Sequence, residues 1–173
     1  MKRLLTVASA ALILGLGIGS IVTNAIAQNT TQTAVTIQET AKPPTSTELL
    51  ALVNAERAKH GVAPLKEDPR LDASAQMKAN DEVAFNYFDH VSPDGSPYAG
   101  IHGYKLIDKT GLSCMYGAEN LSEAHGISTS RGATDGWISS PEHHATMLDA
   151  RYTLTGFGIA GNQVVEHFCQ PKL

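Results

Sequence analysis

The chain has 173 residues, enough for one domain with a sizeable core and too few for two comfortable ones. Its 13 basic and 17 acidic residues leave a net charge of −4, which argues against nucleic acid or an anionic membrane surface as a partner, since both need clustered Lys and Arg.

At the start, Lys2 and Arg3 precede an apolar run from Leu4 to about Val22, and Ala25-Ile26-Ala27 offers the small-x-small pattern of a signal-peptidase site. Residues 1–27 therefore read as a signal peptide, and the protein as exported, with a mature start near Gln28. A run of about 19 residues is also long enough to span a bilayer, so retention as an N-terminal anchor is the alternative. The leader carries two of the basic residues, and without it 11 basic face 17 acidic residues, a net charge of −6. Residues 28–44, rich in Thr and Gln and ending in Pro43-Pro44, read as a flexible tether.

Thr45 with Glu48 three residues on makes a capping box. Leu49, Leu52, Val53 and Ala55 then recur at helical spacing until Gly61, predicting a helix over Ser46 to His60. Asp68-Pro69 starts a second helix, with Leu71, Ala75, Ala79 and Val83 repeating every four residues. Its end delivers His90 to the surface of the core, and Ser92-Pro93-Asp94-Gly95 reads as a type I turn. Tyr98 to Lys109 is a short helical or irregular segment, and a short strand over Leu112 to Met115 leads into Gly117-Ala118-Glu119-Asn120. A helix over Ser130 to Ser139 is weakened by Gly132 and Gly136. Ser140-Pro141-Glu142 is a better start and places His143 in the first turn of its helix. Leu154 to Ala160 and Gln163 to Cys169 form a hairpin about Gly161-Asn162. There are no internal repeats, and this order of elements suggests a layered α+β domain.

Cys114 and Cys169 are the only cysteines. In an exported chain an even pair reads as a disulfide, which here closes a loop of about 55 residues, worth at most roughly 4 kcal/mol in the chain-entropy model. Two separate buried thiols are the alternative.

LLALVNAERAKHGVAPL, FDHVSPDG, GAENL, WISSPEHHATML and TLTGFGIAG follow one another in an order that resembles the CAP superfamily, the SCP-domain proteins, in its secreted bacterial branch. The resemblance covers residues 45–173. It implies an α/β/α three-layer sandwich around a small, mostly antiparallel sheet. It also implies a cleft lined by His90, Glu119 and His143, which match three members of the family's tetrad of two histidines and two glutamates. The fourth is absent, because Ser140 stands three residues after Trp137 where the family has glutamate. Thr146 and His144 stand where bacterial relatives tend to carry asparagine and arginine. His144 leaves two imidazoles to choose between, and the motif favours His143; Glu142 is a nearby acid that partly replaces the missing one.

Two imidazoles beside a carboxylate can hold zinc or another divalent cation with a position open to water. His90 and His143 are the expected metal ligands, and Glu119 is either the general base on that water or a structural acid. His60, His102, His125 and His167 belong to no motif and read as surface or hydrogen-bonded core residues. No HExxH, GxSxG or phosphate loop occurs. The sequence thus supports a secreted or envelope-associated monomer that binds an extracellular ligand, with sterol, other lipid and cell-envelope components as the classes the resemblance brings in. A metal-assisted hydrolase and a passive tethered domain are the other readings.

Overall fold

A computed structural model describes residues 42–126 and 128–172; the leader and the tether as far as residue 41 lie outside them. Pro44, placed with the tether on composition, is buried. The elements are α1 (Ser46–Lys59), β1 (Lys66–Glu67), α2 (Pro69–Phe85), a 3-10 helix (Gly103–Thr110), β2 (Cys114–Glu123), α3 (Ser130–Ser139), α4 (Pro141–Leu148), β3 (Leu154–Ala160) and β4 (Gln163–Pro171). The four strands form one sheet in the order β1-β3-β4-β2, antiparallel except where β1 runs parallel to β3.

Period-two alternation in the central strand β4 sends its side chains to two helical layers. Val165 and Cys169 meet Leu71, Ala75, Ala79 and Ile107 of α2 and the 3-10 helix on one face. Val164 and Phe168 meet Leu49, Val53, Trp137 and Met147 of α1, α3 and α4 on the other. The fold is the expected α/β/α sandwich.

α2 lies directly on β3. A Cβ on Gly156 would fall 2.3 Å from the Asp72 nitrogen, and one on Gly158 2.2 Å from the Ala75 carbonyl. β1 pairs with β3 only at Leu154 and Thr155, and α2 covers the strand edge beyond. Phe157 N donates to Asp72 Oδ1 at 2.9 Å and Ile159 N to Gln76 Oε1 at 3.0 Å, so the open edge finds its partners in helix side chains.

Three local expectations change. β2 runs from Cys114 to Glu123, so Gly117 to Leu121 is strand and not the loop after one. Pairing along β4 carries the strand through Gly117 and Asn120, residues of low strand preference. The turn after His90 is one residue later, with Ser96 N donating to Pro93 O and Gly95 at φ +93° in its third place, where a type II turn needs glycine. Thr45 caps α1 by accepting from Glu48 N at 3.3 Å, but its own N–H donates to Ser130 Oγ, so the box closes on α3 instead of on Glu48.

Cys114 and Cys169 form the disulfide, with Cα atoms 5.5 Å apart, tying the start of β2 to β4. The buried Arg57 spends its guanidinium on backbone carbonyls of Ala63, Met147, Asp149 and Tyr152, which fastens α1 to the chain leaving α4.

Glu166 is fully buried in β4; it accepts from Thr155 Oγ1 at 2.9 Å, and its Oε2 has no partner among the described residues. Burial pushes its carboxyl up to about 8, against the opposing pull of Thr155 and Arg57. The folded state therefore keeps a proton that the unfolded chain releases near pH 4.3, and this group's contribution to stability falls as pH rises toward 8. Glu166→Gln removes that dependence. Its stability advantage over the parent is expected to grow by about 2 kcal/mol between pH 6 and pH 8 in denaturant melts, and a constant difference would refute the assignment.

Candidate functional site

His90 stands on the loop after α2, and α2 holds that loop with polar residues. Lys78 Nζ donates to the Asp89 carbonyl and, at 3.1 Å, to Tyr87 Oη. Tyr87 and Ser96 hydroxyls donate to the two oxygens of Asp81 at 2.5 and 2.6 Å. Gly103 N donates to the His90 carbonyl at 2.8 Å, and Val91 bridges His102. The backbone beneath His90 is thus pinned from α2 on one side and from the entry to the 3-10 helix on the other.

Its imidazole is oriented by a buried relay. His90 Nδ1 donates to Glu119 Oε1 at 2.7 Å, and His167 Nε2 donates to Glu119 Oε2 at 2.9 Å. Ser74 Oγ lies 2.8 Å from His167 Nδ1 and donates to the Leu71 carbonyl. Glu119 and His167 are direct cross-strand partners on β2 and β4, which puts their side chains on the same face of the sheet. Gly103 completes the seat, because a Cβ there would lie 1.8 Å from Glu119 Oε2. With Nδ1 engaged, Nε2 is the His90 nitrogen left for the cleft.

His143 comes from the opposite helical layer. Pro141 starts α4, and Asn120 Nδ2 donates to the His143 carbonyl at 3.2 Å, so the sheet's edge strand β2 carries Glu119 toward one layer and Asn120 toward the other. The His90 and His143 rings face each other with centroids 6.4 Å apart across a cavity of about 240 Å³ lined also by Phe88, Asp89 and Leu121. A second hollow of about 300 Å³, lined by His102, Tyr104 and Ala118, opens beside His90 and Glu119. His144 points elsewhere, to Glu56 on α1. Glu142 is exposed.

The charges are set by these contacts. Burial works to raise the Glu119 carboxyl, but hydrogen bonds from His167 and His90 hold it below the usual range. The Glu119 carboxylate raises His90, whereas burial and the neighbouring His90 lower His143. The pair is thus asymmetric, with His143 the readier neutral donor.

A sequence comparison agrees with this fold. The model of the CAP family, cysteine-rich secretory proteins, matches residues 50–170. The chain belongs to the CAP family. A Bacillus subtilis relative, the uncharacterized protein YkwD, is 35% identical over 111 residues, covering 64% of this chain and 40% of its own length. The uncharacterized membrane protein YlbC of the same organism is 28% identical over 121 residues, 70% of this chain and 33% of that one. The chain therefore spans well under half the length of these curated relatives. Among solved structures, an extracellular SCP-domain protein of Bacillus anthracis superposes with TM-score 0.64 at 22% identity, over 72% of this chain and 40% of that one. An outer surface protein of Borrelia burgdorferi does so with TM-score 0.63 at 18%, over 72% and 90%. At such identities the likeness is one of fold.

Of the three residues that the motifs single out, this CAP domain brings all into one neighbourhood. His167, Ser74 and Gly103 complete it without any motif of their own, and Asn120 does so from within GAENL. A histidine and a glutamate inside the otherwise apolar strand Val164 to Cys169 are the one visible signal, since buried polar groups need partners. Among the described residues, no helix is long and apolar enough to cross a membrane.

Proposed function

We propose that this CAP domain acts outside the cell as a monomeric binding module, and that His90 and His143 hold a divalent cation, zinc by preference, at the floor of the cleft. The observation that carries this reading is the Glu119–His90 bond: a buried carboxylate fixes the tautomer and orientation of an imidazole whose ring centre lies 6.4 Å from that of a second imidazole, and such an outer hydrogen bond is what tunes metal-bound histidines. A zinc about 2.1 Å from each nitrogen in tetrahedral geometry brings two ring centroids to about 5 Å, so the rings need to close by about 1 Å. The remaining coordination positions would face the cavity and take water or an oxygen of the bound ligand.

Cavities of about 240 and 300 Å³ lie at or below the small end of ligand sites, which favours a small polar headgroup or an envelope component over a whole sterol. In the hydrolase reading Glu119 is the general base. Both of its oxygens already accept from imidazoles and its side chain is only 2% exposed, which leaves little of it open to a water. Its geometry suits positioning of His90 better.

Zinc titrated calorimetrically into the full chain should bind with a stoichiometry one equivalent higher than in either His90→Ala or His143→Ala. If parent and variants take up the same number of equivalents while the proteins remain equally folded, the histidines are cleft structure and not ligands.

A further inference from the structure

Three side chains converge where the end of α1 meets α4. Glu56 lies on α1 with its side chain 7% exposed, His60 caps the C-terminus of that helix four residues later, and His144 reaches Glu56 from α4. Both imidazoles address the same oxygen: His60 Nε2 lies 3.1 Å and His144 Nε2 3.0 Å from Glu56 Oε1. All three atoms fall within 4.8 Å of one another, and the rings stand edge to face with centroids 5.3 Å apart. The other carboxylate oxygen holds Lys59 Nζ at 2.9 Å. The Lys59 hydrogen bond, with those of the two imidazoles, keeps Glu56 ionised against the effect of burial.

We propose that Glu56, His60 and His144 form a second divalent-cation site, an open two-histidine, one-carboxylate set suited to zinc with water in the remaining position. A tetrahedral zinc spaces its ligand atoms about 3.3 Å apart, so the two oxygen–nitrogen distances already fit within a few tenths of an ångström and the two nitrogens need only draw together. His60 and His144 are 45% and 24% exposed, which leaves the fourth side of the site open to solvent. Among the described residues Lys59 is the one lysine or arginine in direct contact, and its side chain, 70% exposed, is free to swing away. The site shares no residue with the cleft. Adjacent histidines on α4 divide the work, His143 turning toward His90 and His144 toward Glu56. A bound ion would clamp the end of α1 to α4, the helix that presents His143.

The test uses the full chain carrying His90→Ala and His143→Ala, so that the cleft contributes nothing. This protein should bind one equivalent of zinc and give the visible absorption of tetrahedral cobalt(II) when loaded with that ion. Adding His60→Ala and His144→Ala should weaken zinc binding by roughly 100-fold or more and abolish the cobalt spectrum. No zinc binding in the first protein, or undiminished binding in the second, would overturn the proposal. Because the cleft residues are already removed, either result is independent of whether the cleft itself binds metal.

Discussion

Gly158→Ala is expected to destabilise the domain by about 3 kcal/mol or more, at the upper end of what overpacking costs in a filled core. The added carbon would lie 2.2 Å from both the carbon and the oxygen of the Ala75 carbonyl and 2.4 Å from the Gln76 nitrogen. These are backbone atoms of a helix, not the tip of a flexible side chain, so relief requires α2 to lift off the sheet. Lifting it breaks the Asp72 and Gln76 hydrogen bonds that cover the β3 edge and disturbs Leu71 and Ala75 in the core. It also shifts Lys78 and Asp81, which hold the His90 loop, so any zinc affinity of the cleft should fall with stability. Urea unfolding reads the first effect. A loss below about 1 kcal/mol would mean that α2 can move away at little cost, contrary to the close packing of protein interiors.

Reducing the Cys114–Cys169 disulfide is expected to lower stability by up to about 4 kcal/mol, because the bridge closes a separation of 55 residues and its loss returns that freedom to the unfolded chain. The bond joins the first residue of the edge strand β2 to the central strand β4, and Cys169 is wholly buried. Packing and chain constraint can be told apart by comparing oxidised parent, reduced parent and the Cys114→Ala, Cys169→Ala double variant in the same denaturant series. The two forms without the bridge should agree to within about 1 kcal/mol, the scale of a small change in buried volume. Near-equal stability of oxidised and reduced parent would show that the helical layers alone hold β2 in place.

The helices were legible from local chemistry. Thr45, Asp68-Pro69 and Ser140-Pro141 mark three helix starts that the structure keeps, because capping and the fixed φ of proline act within one turn. Ser140 nevertheless makes no side-chain cap bond, whereas α3 is capped by Thr129, whose hydroxyl accepts from Gly132 N. The terminal hairpin was equally plain from two apolar runs about Gly161-Asn162. The extent of β2 was not, since its glycine and its polar residues are held in a strand only by a partner some 50 residues away in the chain.

The site divides along the same line. Motif order in the sequence singled out His90, Glu119 and His143, and the paired cysteines, in a chain whose start reads as an export signal, pointed to the bridge. Tertiary structure alone decided that His167 would seat Glu119, that Gly103 would leave room for its carboxylate, and that His144 would find Glu56 and His60 as its partners. The reason is physical. Capping, turn geometry and hydrophobic period act between residues a few positions apart and can be read along the chain, whereas a buried carboxylate takes its partners from whichever strands and helices the core brings beside it.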